Sequence, residues 1–181
     1  MSRQRRVVIT GGPGAGKTTL LAELARIGHE TVEESARSII VERLAHGYSP
    51  RPDPLAFAKE ILRRDVEKFH QRQHGPGWVF FDRCAVEALA MVHEASPLPL
   101  EELEIQLSTS RYHPVVFVLP PWHEIYVTDS ERDQSFAEAV IVHHKITEWY
   151  SACGYTIREV PRVTVSQRAA YALAALDTRV V

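Results

Sequence analysis

The sequence predicts an α/β fold in which a parallel sheet is covered by crossover helices. Three observations carry that expectation. Apolar, β-branched runs alternate with helix-period segments along the chain, as parallel strands joined by helices require. The strand-like runs are short and continuously apolar, which fits strands buried on both faces. Finally, Gly11-Gly12-Pro13-Gly14-Ala15-Gly16-Lys17-Thr18 stands between the first such run and an amphipathic segment. That is the place of a phosphate-binding loop between a strand and a helix.

The first strand is expected over about residues 5–10, and the first helix over 17–27, with Leu20, Leu21 and Leu24 on its apolar face and Gly28 as its cap. A short second strand follows near 30–33, then a helix from about Ser35 to Ala45 closed by His46-Gly47. The loop Tyr48 to Pro52 leads to Asp53-Pro54, an N-cap with proline at the first helical position. Phe57, Ile61, Leu62, Val66 and Phe69 recur at three- and four-residue steps until Gly75-Pro76-Gly77 stops that helix. Trp78 to Phe81 form a buried strand ending in Asp82-Arg83. A helical pair, 84–95 and 99–109, is divided by Ser96-Pro97-Leu98-Pro99, and Val115 to Leu119 make the next strand. Pro120-Pro121-Trp122 forces an extended exit into a polar stretch, His123 to Asp133, read as a lid over about 120–133. A long helix to about Ala152, a strand near 155–159 and a helix from about Ser166 complete the chain.

At 181 residues, with 45% hydrophobic and 24% charged residues, the chain fits one domain over 1–181. A net charge of −2 supplies no global attraction to nucleic acid or an anionic membrane, so neither is an expected partner. No apolar run approaches bilayer length, and the basic segment Met1 to Arg6 lacks the apolar stretch of a signal peptide behind it. Two cysteines, Cys84 and Cys153, make no disulfide framework, so a reducing cytoplasm is the expected compartment.

The phosphate loop specifies much of the chemistry. Its glycines let successive backbone N–H groups face one concavity, Lys17 supplies charge for the outer phosphates, and the Thr18 hydroxyl suits Mg²⁺. Gly12, Pro13, Gly14, Ala15, Gly16, Lys17, Thr18 and Thr19 are thus the candidate nucleotide residues, with ATP and Mg²⁺ as the implied ligands. Asp82 ends a buried strand beside the loop, where a carboxylate holds Mg²⁺, usually through water; a strand-end turn is the other role for such a residue. Arg83 projects toward the same crevice and suits a phosphate or carboxylate, or else a surface ion pair.

Of Glu33-Glu34, Glu34 is the candidate that orients an acceptor hydroxyl and takes its proton, although glutamates before a first helical turn are also favourable to the helix dipole alone. Arg37 lies three residues on, to bind a substrate or to pair with Glu34. In the lid, Arg132 is the candidate arginine that neutralises charge on the transferred group, set among Glu124, Asp129, Glu131 and Asp133; a helix-start arginine is the plainer reading. Cys84 is expected to be a small buried residue. Pro161 to Val165 is where the nucleotide base would rest.

These residues resemble those of the nucleoside and nucleoside-monophosphate kinase group of P-loop proteins. The loop is similar to that of adenylate kinases, Phe80-Phe81-Asp82-Arg83 to the Asp-Arg strand end of thymidylate kinases, and Val32-Glu33-Glu34-Ser35 to the glutamate segment of deoxynucleoside kinases. Thr10 to Leu20, Glu34 to Arg37, Phe81 to Arg83 and above all Leu119 to Tyr126 resemble a family of small AAA-type ATPases grouped with NadR-type ribosylnicotinamide kinase domains. That resemblance implies a three-layer P-loop fold with a five-stranded parallel sheet in the order 2-3-1-4-5, ATP with Mg²⁺, and nucleotide roles for Lys17, Thr18 and Asp82. No Asn-Lys-x-Asp marks a guanine-specific switch, and Asp-Arg rather than Asp-Glu follows the third strand, unlike a ring-forming motor. The expected activity is transfer of the ATP γ-phosphoryl group to a small, nucleoside-like acceptor. The alternative is a nucleotide-dependent binding module with slow or no hydrolysis.

Overall fold

The computed structural model describes residues 5–50, 52–72, 77–126 and 135–177. Five strands, β1 (Arg6–Gly11), β2 (Glu30–Val32), β3 (Val79–Asp82), β4 (Val115–Leu119) and β5 (Thr156–Glu159), form one parallel sheet in the order β2-β3-β1-β4-β5. Parallel pairing demands a crossover between successive strands, and helices supply it. They are α1 (Lys17–Arg26), α2 (Ser35–Ala45), α3 (Pro54–Gln71), α4 (Ala85–Ala95), α5 (Leu100–Thr109), α6 (Phe136–Ala152) and α7 (Val165–Asp177). The fold class and strand order are those the sequence predicts, with element ends displaced by a residue or so.

The alternation of side chains along each strand divides the core in two. Val7, Ile9, Phe80, Phe117 and Leu119 point to one face and pack with Leu20 and Leu24 of α1 and Ala169, Ala172 and Leu176 of α7. Val8, Phe81, Val116 and Val118 point to the other, against Phe69 of α3, Val86 of α4 and Ile146 and Tyr150 of α6. A satellite cluster, Ile39, Phe57, Ile61 and Ala88, joins α2, α3 and α4. Both faces of the inner strands are therefore dry, which is why those runs are apolar without interruption.

The helix signals act as expected. The Asp53 carboxylate accepts from the N–H groups of Leu55 (3.1 Å) and Ala56 (3.0 Å), ahead of Pro54 at the first helical position. After α1, Gly28 takes φ 97° and donates to the Ala25 carbonyl while His29 donates to Leu24, closing two otherwise orphaned carbonyls. α6 begins with a reciprocal cap that the sequence reading did not single out: Ser135 and Glu138 each bond the other's backbone N–H. The predicted lid differs in its first part, where His123–Ile125 make a 3₁₀ turn instead of irregular chain; residues 127–134, with Arg132, lie outside the described residues. Among the described residues no helix is long and apolar enough to cross a membrane.

Register positions the site. Ile9 pairs with Asp82 and Gly11 with Leu119, so the carboxyl ends of β3, β1 and β4 finish together around the start of the phosphate loop. In open parallel sheets this edge is where ligands bind.

Candidate functional site

The loop between β1 and α1 is tightly enclosed. Gly14 and Gly16 adopt φ of 69° and 85°, and a methyl group on either would collide: 2.6 Å from the Tyr126 ring at Gly14, 2.8 Å from Nη1 of Arg168 at Gly16. The positive φ strains any side chain at either position, and at Gly14 the Tyr126 ring also fills the space. Lys17 opens α1 and donates through Nζ to the Gly11 and Gly12 carbonyls, each at 2.9 Å, which holds its ammonium at the loop. Thr18 and Thr19 follow, exposed in the first turn. No side chain caps α1, so the first N–H groups of the helix are open to an anion.

Asp82, Arg83 and Glu34 meet beside this loop, as their sequence positions suggest. Arg83 has the one positive φ among the described non-glycine residues, 61°, a conformation costing about 1 kcal/mol that persists only where surroundings enforce it. Its guanidinium supplies the enforcement: Nη1 donates to Glu87 at 2.5 Å, Nη2 to the Gly11 carbonyl at 3.2 Å, and Nε lies 3.0 Å from Glu34. Burial opposes the charge of Arg83, but Glu87 and Glu34 outweigh it and hold the guanidinium above its ordinary pKa. Arg83 is thus engaged with two carboxylates and the loop rather than projecting freely into the crevice. Glu34 arrives as the residue before α2, with no cap bond from its side chain. Its carboxylate is spent on Arg83 instead of the helix end.

Burial pushes the Asp82 carboxyl up to about 6, against the pull of Lys17. The Lys17 ammonium is lowered to about 8 by burial and then by Arg83, partly offset by Asp82, Glu34 and Glu87. Oδ1 of Asp82 is buried without a hydrogen-bond partner. Among the described residues no group of three or more His, Cys, Asp or Glu could hold a metal alone. An orphaned carboxylate oxygen, an exposed threonine hydroxyl and an uncapped helix start do fit a divalent cation that brings a polyphosphate as its remaining ligand.

Arg37 lies exposed in the first turn of α2. Cys84 is buried as expected, its Sγ 3.1 Å from the Tyr150 hydroxyl, and burial pushes the thiol up. Several site residues escaped the sequence reading. Glu87, 9% exposed, accepts from Arg83 and from the Tyr150 hydroxyl (3.1 Å); the signal was a lone carboxylate inside Ala85-Val86-Glu87-Ala88-Leu89. Asp65 continues the buried stripe Phe57, Ile61, Phe69 and accepts from the Ser35 hydroxyl. Arg168 stands four and eight residues before buried Ala172 and Leu176, a spacing that places it on the inner face of α7.

A family model described as an AAA domain matches residues 6–168. The chain belongs to this family. Among the curated proteins none matches the sequence. Among solved structures, this AAA-family chain is similar to deoxyadenosine kinase from M. mycoides, solved with dCMP and a flexible dCDP (14% identity, TM-score 0.64, covering 95% of this chain and 98% of that one). It is similar to NadR in complex with NR (21%, TM-score 0.68, 96% of this chain and 50% of that one) and to thymidylate kinase from Candida albicans (14%, TM-score 0.61, 97% and 92%). The chain thus spans about half of NadR and nearly all of the other two. At these identities the likeness establishes a shared fold, that of P-loop nucleoside and nucleotide kinases.

Proposed function

We propose that the protein is a small-molecule kinase that binds ATP with Mg²⁺ at the phosphate loop and transfers the γ-phosphoryl group to a hydroxyl of a nucleoside-like acceptor. The observation that carries this reading is the meeting of Glu34 with Arg83, at 3.0 Å, beside Asp82 and the loop carbonyl of Gly11. A carboxylate held there, at the start of α2, can orient an incoming hydroxyl in line with a phosphate seated in the loop.

In this scheme the loop backbone, Lys17, Thr18 and Thr19 hold the phosphates, and Thr18 with Asp82 would hold the cation, which when bound neutralises charge on the β- and γ-oxygens. Glu34 orients the acceptor hydroxyl and takes its proton as the new O–P bond forms and the bond to the ADP oxygen breaks. Arg83, fixed by Glu87, sets the position of Glu34. Arg37 on α2 and Arg132 are assigned to the acceptor and the transferred group respectively. The fold likeness to proteins solved with dCMP or NR supports an acceptor of that class.

The test is a mass-spectrometric screen of nucleosides, ribosylnicotinamide and other small hydroxyl compounds with ATP and Mg²⁺, paired with thermal-shift measurement. At least one nucleoside-like compound should gain a phosphate. Tight nucleotide binding with no phosphorylated product from any acceptor would overturn the kinase reading.

A further inference from the structure

Arg168 is a buried cation without a hydrogen-bonding counterpart for much of its guanidinium. The residue is 6% exposed, and neither Nε nor Nη1 has a hydrogen-bond acceptor. Burial lowers its pKa, and no carboxylate enters among the causes. Its Cζ stands over the Trp122 ring, 5.5 Å from the centroid, and its Nη1 is the atom that a methyl group on Gly16 would meet at 2.8 Å. Arginine is ordinarily retained inside a protein only when its donors are met. Here Nη1 lies against Gly16, the glycine just before α1, where backbone N–H groups are open to an anion.

The neighbourhood is held in place from both sides. Arg162, in the turn between β5 and α7, donates to the Pro121 carbonyl through Nε (3.1 Å) and Nη2 (2.9 Å), fastening the chain that carries Trp122 to the chain that carries Arg168.

We propose that Arg168 is a second phosphate-binding cation of the donor site, reaching from α7 to the phosphates that a nucleoside diphosphate retains. This rests on the loop binding nucleotide, as proposed above. A bound phosphate supplies the acceptors that Nε and Nη1 lack, and loading of the donor draws the guanidinium toward Gly16 and away from Trp122.

The experiment is calorimetric titration of wild type, Arg168→Met and Arg168→Lys with ADP and with inorganic pyrophosphate, alongside thermal unfolding without ligand. Arg168→Met should bind both ligands at least tenfold more weakly, Arg168→Lys should fall between it and wild type, and the ligand-free melting temperature of Arg168→Met should be unchanged or higher, since an unmet buried charge has been removed. A drop of more than about 4 °C in ligand-free melting temperature would make the residue structural and overturn the proposal. Weakened ADP binding with unaltered pyrophosphate binding would overturn it too, by assigning Arg168 to the base. If wild type binds neither ligand, the nucleotide reading itself is refuted; if wild type and Arg168→Met bind equally, only the role of Arg168 is.

Discussion

Glu87→Gln is expected to be costly although the residue touches no ligand in the proposed scheme. Glu87 is 9% exposed and is the partner of the Arg83 guanidinium at 2.5 Å. Removing one member of a buried pair costs about 3–5 kcal/mol, because the remaining charge stays desolvated. Two things reduce this: glutamine still accepts the Tyr150 hydroxyl bond, and Arg83 keeps Glu34, a partly solvated pair (24% and 32% exposed side chains) worth about 1 kcal/mol at most. The expected loss is about 2–3 kcal/mol. With an unfolding entropy of about 2.1 cal/mol/K per residue, that lowers the melting temperature by roughly 5–8 °C. Calorimetric unfolding of wild type, Glu87→Gln, Arg83→Met and the double variant at pH 7 gives the coupling directly. It should be about 2 kcal/mol, with the second substitution nearly free once the first is made. Additive losses, or a coupling below about 0.5 kcal/mol, would refute the account of Arg83 as a guanidinium anchored by Glu87.

The same comparison predicts that Glu34→Gln shifts the melting temperature by no more than about 3 °C while turnover falls about 10²–10⁴-fold with nucleotide affinity nearly unchanged; full activity would leave Glu34 only a structural partner of Arg83. Lys17→Ala should abolish phosphoryl transfer in a coupled ADP-release assay, and retained turnover would place the outer phosphates elsewhere. Asp65, pushed up to about 6 by burial against its Ser35 hydrogen bond, keeps a proton in the folded state that the unfolded chain releases between about pH 4 and 6. Its contribution to stability therefore declines as pH rises through that window, by about 1.4 kcal/mol per pH unit at most. Urea unfolding at pH 5 and pH 7.5 should show this dependence in wild type and lose it in Asp65→Asn; identical dependence in both proteins would remove Asp65 from the account.

The sheet and the conformation of the phosphate loop were legible because they depend on local pattern. Val115 to Leu119 can only be a two-sided buried strand, and Gly14, Gly16 and Lys17 announce a loop whose conformation their residue types require. Glu34 and Asp82 were legible from their positions at element ends. What stayed hidden depends on long-range packing. Glu87 within an apolar run and Asp65 on the Phe57, Ile61, Phe69 stripe carry a sign of facing inward, but their partners, Tyr150 from α6 and Ser35 from α2, come from distant parts of the chain. Arg168 lies 152 residues beyond Gly16 in the chain, so no local spacing joins them. The conversion of Arg83 from a free cation to a bridge needs Glu34 to arrive from the start of α2, whereas Glu87 lies only four residues on.

The short edge strand has a consequence for how the molecule comes apart. β2 is held to the sheet by β3 alone, over Glu30 to Val32, whereas β1 is flanked by β3 and β4. Detaching β2 with α2 breaks a three-residue ladder, the packing of Ile39 on Phe57 and Ile61, the Glu34–Arg83 and Ser35–Asp65 contacts and the surface links of Arg64 to Glu42, Lys68 to Glu33 and Arg72 to Glu30, while the loop, Asp82 and the Arg83–Glu87 pair keep their own supports. Amide exchange should accordingly be early in 30–45 and latest in β1. For the proposed kinase, sub-global opening of that kind would give the acceptor side its own exit: a phosphorylated product would leave past a loosened edge while the spent nucleotide is still held by the centre of the sheet.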